Sequence, residues 1–312
     1  MTYASRYQRP SVPRSSLHLQ ERDLAILNAA HVHRFVVSHH IRELLFPGVS
    51  LWRAQHRLRK LWEHRLLDRY FAPAVLRTGI AVPQLSPRPI YALTARGAAC
   101  LAEASSGRAT GLHTALRLKA RSRPTFEHHL VVTDFMVALR VALETESRAR
   151  IHRLEHEHVL WPHVLRLPPA ARKRGVIVPD GAITLDVSNG QRITLYLEVV
   201  RAGPPGGNKT VREKLARYAE LHHQGFFKSL YGHERLRAVV FATTSEVRAE
   251  RFCSFAAGLP HGRRLFWFGS YASPSKDTRS GFTPTSILTH LWQTAVGAGV
   301  TLGDVITSEA HA

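Results

Sequence analysis

Asp180 follows Val178-Pro179 at the start of one strand-like segment, and Glu198 lies inside the next, within Leu197-Glu198-Val199-Val200. An Asn189-Gly190 pair between them is a hairpin turn signal. A hairpin here sets the two acids on neighbouring strands at one sheet edge. Oxygen ligands so placed suit a hard divalent ion, Mg2+ or Mn2+, and the same arrangement serves metal-assisted hydrolysis of phosphodiesters. The plainer role for Asp180 is that of a turn residue after proline.

A second chemistry is written between Ser50 and His64. On a helix begun at Ser50, Leu51, Ala54, Leu58, Leu61 and Trp62 share one face, while Arg53, His56, Arg57, Lys60 and His64 line the opposite one. One face packs and the other meets phosphate. Arg53, Gln55, His56, Arg57 and Lys60 are therefore the expected contacts to double-stranded DNA, because a guanidinium suits both phosphate and guanine.

These residues need elements to hold them. Leu19 to Ala30 reads as a helix with Glu21 and Asp23 in its first turn, where they suit the helix dipole. Ser38 to Phe46 reads as a second helix, ended by Pro47-Gly48. Ser50, a good N-cap type, opens the third. Arg65 to Phe71 and Pro89 to Leu93 then read as two strands around a Pro-rich tip, Pro83 to Pro89, which carries Arg88 as a further DNA contact. Thr94 caps a last helix, Ala98 to Ala104. Two helices, a turn, a basic third helix and a two-stranded wing are the order of a winged helix-turn-helix.

Beyond it, Ser105 to Pro124 reads as a linker with a basic stretch, Arg117, Lys119, Arg121 and Arg123. Phe126 to Leu143 is strongly helical, with Leu130, Val131, Phe135, Ala138, Leu139 and Ala142 on its apolar side. Strands are expected over Ile151–Trp161, Gly181–Val187, Arg192–Val200, Arg237–Thr243 and Arg263–Gly269, with helices over Asn208–Gln224 and Ser245–Ala257. Trp161, Phe266 and Trp267 are expected in the core. The fold class is thus α/β (α+β), a mixed sheet flanked by helices behind the winged helix. Residues 1–16 read as a basic disordered arm, 17–104 as the winged helix, 105–124 as linker, 125–270 as the α/β domain, and 271–312 as a polar loop plus a helix over Pro284–Val296.

Composition agrees with a nucleic-acid partner. Lys and Arg number 43 against 23 Asp and Glu, a formal charge of +20 over 312 residues. Cys100 and Cys253, the two cysteines, stand far apart without zinc-spaced partners, which excludes a disulfide framework and a zinc finger. The redox setting reads as cytoplasmic. No apolar run of about 18 residues exists to cross a bilayer, and the first residues lack the apolar stretch of a signal peptide. A homodimer or other proteins are further expected partners.

With Pro179-Asp180 and Leu197-Glu198-Val199 on successive strands, the second domain resembles the PD-(D/E)XK nuclease fold, also called restriction-endonuclease-like. The resemblance implies a third residue, lysine, where this chain has Val200. Lys209 or Lys214, on the following loop and helix, are the candidates to replace it by stabilising developing charge. Glu127 is the candidate for an additional metal ligand from the domain's first helix.

More narrowly, the chain resembles the replication-relaxation family of bacterial mobile-element proteins. The strings that carry this are Glu21 to Leu27, Leu58 to Leu67, Tyr91 to Gly97, His129 to Phe135, Pro179-Asp180, Leu197-Glu198-Val199 and Lys214-Leu215-Ala216-Arg217-Tyr218. The resemblance implies a DNA-binding accessory or regulatory role in plasmid replication, relaxation or transfer, with a degenerate nuclease-like domain. An active Mg-dependent DNA endonuclease with a displaced lysine is the alternative.

A rival motif, Gly203-Pro204-Pro205-Gly206-Gly207-Asn208-Lys209-Thr210, nearly matches the phosphate-binding P-loop and makes nucleotide binding a second alternative. Asn208 replaces the required last glycine, and two prolines remove backbone donors. A glycine-proline loop at the sheet edge fits better. Adjacent histidines, as at His39-His40, His128-His129 and His222-His223, point apart on a helix, and with His152, His156 and His158 they make no dedicated metal site.

Overall fold

A computed structural model describes residues 8–11, 16–71, 89–104, 123–168, 176–201, 207–233, 235–271, 282–297 and 299–307. The chain divides into two compact units, Met1–Thr133 and Asp134–Ala312. The division falls inside the helix that begins at Arg123.

The first unit begins with α1 (Glu21–His33), α2 (Ser38–Leu45) and α3 (Leu51–Glu63), followed by β1 (Leu67–Phe71), β2 (Pro89–Leu93) and α4 (Ala95–Ala104). Ile26, Leu27, Ile41, Ala54, Leu58, Leu61, Leu93 and Leu101 form one apolar cluster. The periodic stripe of α3 is therefore the face that packs. Strands β1 and β2 pair antiparallel, Leu67 opposite Leu93 and Phe71 opposite Pro89. This is a winged helix-turn-helix, as its sequence pattern requires. The wing tip with Arg88 lies outside the described residues.

Local chemistry explains the ends of these elements. Asp23 accepts a hydrogen bond from the Gln20 amide at 2.8 Å and so closes the start of α1. Ser50, by contrast, makes no side-chain cap bond to α3, and its carbonyl instead accepts from the Arg53 amide at 3.2 Å. Thr94 Oγ1 accepts from the Gly97 amide at 3.0 Å, the expected cap of α4. Gly97 lets α4 approach β1, since a Cβ there would lie 2.2 Å from the Leu66 carbonyl oxygen. Within the expected disordered arm, Arg9 is docked: its guanidinium donates to the Leu67 carbonyl at 2.8 Å and reaches Asp68 at 3.2 Å.

Helix α5 (Arg123–Glu144) ends in the second unit, which continues with β3 (Ala149–His156), α6 (Glu157–Leu165), β4 (Gly181–Val187), β5 (Arg192–Val200), α7 (Gly207–His223) and α8 (Phe226–Tyr231). Then come β6 (Leu236–Thr243), α9 (Glu246–Ala257), a 3-10 turn at Arg263–Leu265, β7 (Phe266–Ser270), β8 (Gln293–Thr294) and α10 (Leu302–Thr307). The six strands form one mixed sheet in the order β3-β4-β5-β6-β7-β8. Strands β3, β4 and β5 run antiparallel, and β5, β6 and β7 parallel. Asn189-Gly190 turns the β4–β5 hairpin with Gly190 at φ 78°, a left-handed conformation that glycine adopts without strain. Tyr196, Tyr218, Phe241, Phe252, Phe266 and Phe268 belong to the main core.

Two expected elements are corrected. The strand expected over 151–161 ends at His156, and α6 follows. Leu160 and Val164, four residues apart, are buried on one helical face, while Trp161 is 47% exposed and is not core. The helix expected over 284–296 is instead a run of turns leading to β8, and the helix near the end of the chain is α10. Here tertiary pairing overrides the helical apolar spacing: Trp292 exchanges backbone hydrogen bonds with Val300, and β8 pairs with β7. The Trp292 ring stacks on Phe282 at 6.1 Å.

Among the described residues, no helix is long and apolar enough to cross a membrane.

Candidate nucleic-acid interface and carboxylate site

Packing fixes what α3 presents. With Ala54, Leu58 and Leu61 fully buried, Arg53, Gln55 and His56 are exposed and Lys60 is half-buried. Trp52 joins them, 65% exposed and stacked on His56 with ring centroids 5.1 Å apart. The apolar spacing hid it, because a tryptophan beside the packed face reads as core. Arg59 is exposed as well and donates to the buried Glu63 at 2.9 Å, an i,i+4 pair.

Arg57 has a different role from the one its helical position implied. Its Nε and Nη2 both donate to the Asp23 carboxylate, which is wholly buried. Hydrogen bonding to Asp23, helped by its charge and opposed by burial, raises the Arg57 pKa above its ordinary value. The pair ties the basic helix to α1. It removes Arg57 from the set of cations facing solvent, because withdrawing it leaves a buried charge uncompensated.

In the second unit the hairpin brings Asp180 and Glu198 together. Asp180 precedes β4, and its Oδ2 accepts from the Val199 amide on β5 at 2.8 Å. Glu198 sits mid-sheet on β5, 1% exposed. Lys214 Nζ donates to Glu198 Oε2, and Tyr218 Oη donates to Oε1. Both donors come from one face of α7, four residues apart. Lys214, not Lys209, is therefore the lysine that reaches the acids. Lys209 is exposed and lies 3.9 Å from Glu213. The P-loop-like residues 203–206 lie outside the described residues.

The electrostatics follow from burial. Desolvation pushes the Glu198 carboxyl up to about 7, against the pull of Lys214 and with the push of Asp180. Burial opposes the charge on Lys214, but Glu198, Asp180 and Glu157 together hold its ammonium above the usual lysine value. Tyr218 is raised well above the ordinary phenol, by burial and then by Glu198. Glu157, at the start of α6, was invisible while its segment read as a strand. Its amide donates to the Asp180 carbonyl at 3.0 Å. The spacing Lys214-x-x-x-Tyr218 was the available signal for the pair on α7.

Glu127 is half-buried and belongs to the first unit. Among the described residues, no three His, Cys, Asp or Glu ligand atoms gather at Glu198. Both oxygens of Glu198 are held by Lys214 and Tyr218, so a divalent ion would have to displace a charged partner from a buried carboxylate. The donor set as arranged does not fit Mg2+ or Mn2+.

A winged helix-turn-helix unit followed by a mixed α/β unit with a sealed carboxylate defines the class of protein. The family model described as "Replication-relaxation" matches residues 27–234, and the chain belongs to that family. A comparison with curated proteins found no match. Among solved structures, a protein with a GntR superfamily winged-helix-turn-helix domain from Halomicrobium mukohataei is similar, with 17% identity over 36% of this chain and 76% of that one, at a TM-score of 0.24. At that score the winged helix rests on the packing of α1 to α4 and the β1–β2 pair.

Proposed function

We propose that this protein is a DNA-binding accessory or regulatory protein of a bacterial mobile element, acting in plasmid replication, relaxation or transfer. In this reading α3 enters the major groove, Trp52, Arg53, Gln55, His56 and Lys60 face the duplex, and Arg88 on the wing adds a contact. The observation that carries it is the partition of α3: its apolar stripe is buried in the first unit while Arg53, Gln55 and His56 stand exposed and Lys60 is half-buried. The charge of +20 supports the same partner. The second unit serves as a nuclease-like scaffold that does not cut. A second copy on a matching half-site is the arrangement such units favour, and sedimentation of the DNA complex counts the copies.

One observation favours a second reading, a metal-dependent endonuclease. Lys214 stands beside Asp180 and Glu198, where a displaced catalytic lysine would be needed. Purified protein, supercoiled plasmid and Mg2+ or Mn2+ separate the two, with Asp180→Ala, Glu198→Ala as the control. Binding without nicking is the expected result. Metal-dependent nicking that is lost in the control replaces the accessory reading with the endonuclease. Arg53→Gln, Lys60→Gln is expected to weaken binding and flatten its salt dependence by about 2 units of slope.

A further inference from the structure

The second unit carries an open concavity of about 690 Å³ whose lining includes His222, Arg235, Arg237, His261, Arg263 and Arg264. The topology explains why these residues meet. Strands β6 and β7 are parallel, with Val239 opposite Phe266. Arg235 and Arg237 at the start of β6 therefore come beside Arg263 and Arg264, which lead into β7. Arg235 and Arg237 flank Leu236 where the β5–β6 register shifts, Leu236 pairing with Thr194 and Ala238 with Leu195, and both line the concavity. Helix α7 ends at the same place, which brings in His222.

This is not the carboxylate site. Glu198 pairs with Phe241, four residues beyond Arg237 along β6, which is about 13 Å at the rise of a strand. The acids lie toward one end of the parallel strands and the arginines at the other.

The four guanidiniums are exposed, and among the described residues none has an acidic partner. Arg235 donates to Gln191, and Arg263 Nε donates to the Leu259 carbonyl at 2.7 Å, both neutral acceptors. The acid that approaches is Glu220, whose carboxylate lies 3.6 Å from His261. Four like charges with no acidic partner among the described residues raise the local potential and draw a polyanion. Among the described residues, no Phe, Tyr or Trp lines the concavity. Its lining offers charge more than the large aromatic faces on which single strands stack.

We propose that this concavity is a second DNA-contact site, one that grips the phosphate backbone of duplex DNA without reading sequence. Arg237 and Arg264 make its principal contacts. The choice of DNA as the polyanion rests on the proposed function, whereas the site itself is separate from α3.

The test is fluorescence anisotropy of the full chain with a labelled duplex of about 30 base pairs, titrated with salt. Arg237→Gln, Arg264→Gln is expected to weaken binding equally on unrelated duplex sequences and to flatten the salt slope by about 2. Arg237→Lys, Arg264→Lys keeps the charge and is expected to restore the slope, which separates lost contacts from lost folding. If the Gln pair leaves duplex affinity and slope unchanged while Arg53→Gln, Lys60→Gln weakens them, the concavity is not a DNA site and the winged-helix reading stands. The converse result keeps the concavity and removes α3. An effect confined to single-stranded DNA overturns the proposal.

Discussion

Arg57 provides the sharpest test of the first unit, because its place on α3 and its bonding assign it opposite roles. By helical position it belongs with Arg53 and Lys60. By geometry its fork holds the Asp23 carboxylate, which is 0% exposed and also receives the Gln20 amide. Replacing Arg57 with alanine leaves a buried carboxylate without its cation, and breaking such a pair costs about 3–5 kcal/mol. With a denaturant slope of about 2 kcal/mol per molar, the urea midpoint of the first unit falls by about 2 M. Asp23→Ala, Arg57→Ala is expected to recover part of that loss, because both members of the pair are gone. The protein that remains folded should keep the wild-type salt slope for DNA, since no phosphate contact was removed. Urea unfolding followed by circular dichroism measures the first effect and anisotropy the second. A loss of less than about 1 kcal/mol, together with a slope flattened by about 1, would show that Arg57 faces DNA and that the pin is wrong.

Gly97→Ala places a methyl group against the Leu66 carbonyl and 2.8 Å from Leu93 Cδ1, so the first unit should lose about 1–3 kcal/mol by urea unfolding. A neutral result would mean that α4 and β1 are further apart than described. Trp52→Ala should change stability by less than about 0.5 kcal/mol because the ring is exposed. The same change should weaken DNA binding about tenfold, or 1.4 kcal/mol, in anisotropy. Equal affinity would remove Trp52 from the interface. Glu198 gives a pH dependence. Its folded pKa of about 7 lies above the unfolded carboxylate value, so the folded chain holds a proton that the unfolded chain has released. Stability contributed below the unfolded value is then lost as pH rises through about 7, by on the order of 3 kcal/mol. Glu198→Gln removes this titration. Unfolding free energies at pH 5 and pH 8 should therefore differ less in the variant, and an unchanged difference would refute the buried, titrating carboxyl.

The winged helix was legible because its signals are local: the α3 stripe, the Pro47-Gly48 stop, the Thr94 cap and the paired β segments each act within a few residues. The β4–β5 hairpin was legible for the same reason, through Asn189-Gly190. What failed was decided elsewhere in the fold. The segment from Glu157 became a helix because Leu160 and Val164 have core to fill, and the alternating pattern before it carried no sign of where the period changed. The segment 284–296 has helical spacing, yet β7 offered its backbone a partner. The site showed the same division. Asp180 and Glu198 could be paired through the turn between them, and Lys214 could be named only as one of two candidates. Its choice over Lys209 depends on which face of α7 meets the sheet, a tertiary fact. Arg57 could not be separated from Arg53 by periodicity, because its partner Asp23 lies 34 residues earlier.

The second unit distributes its charge in the reverse of what hydrolysis needs. A phosphodiester must reach the acids that hold the metal, yet Glu198 is buried and both of its oxygens are held by Lys214 and Tyr218. The cations that could receive a phosphate stand at the other end of the parallel strands, around an open concavity without acidic partners among the described residues. A sheet that hides its carboxylate and exposes its arginines supports the proposal that it holds a polyanion. That layout favours grip over cutting, and it ties the two proposals to one observable: duplex binding that weakens with salt through two separable sets of cations while the plasmid stays intact.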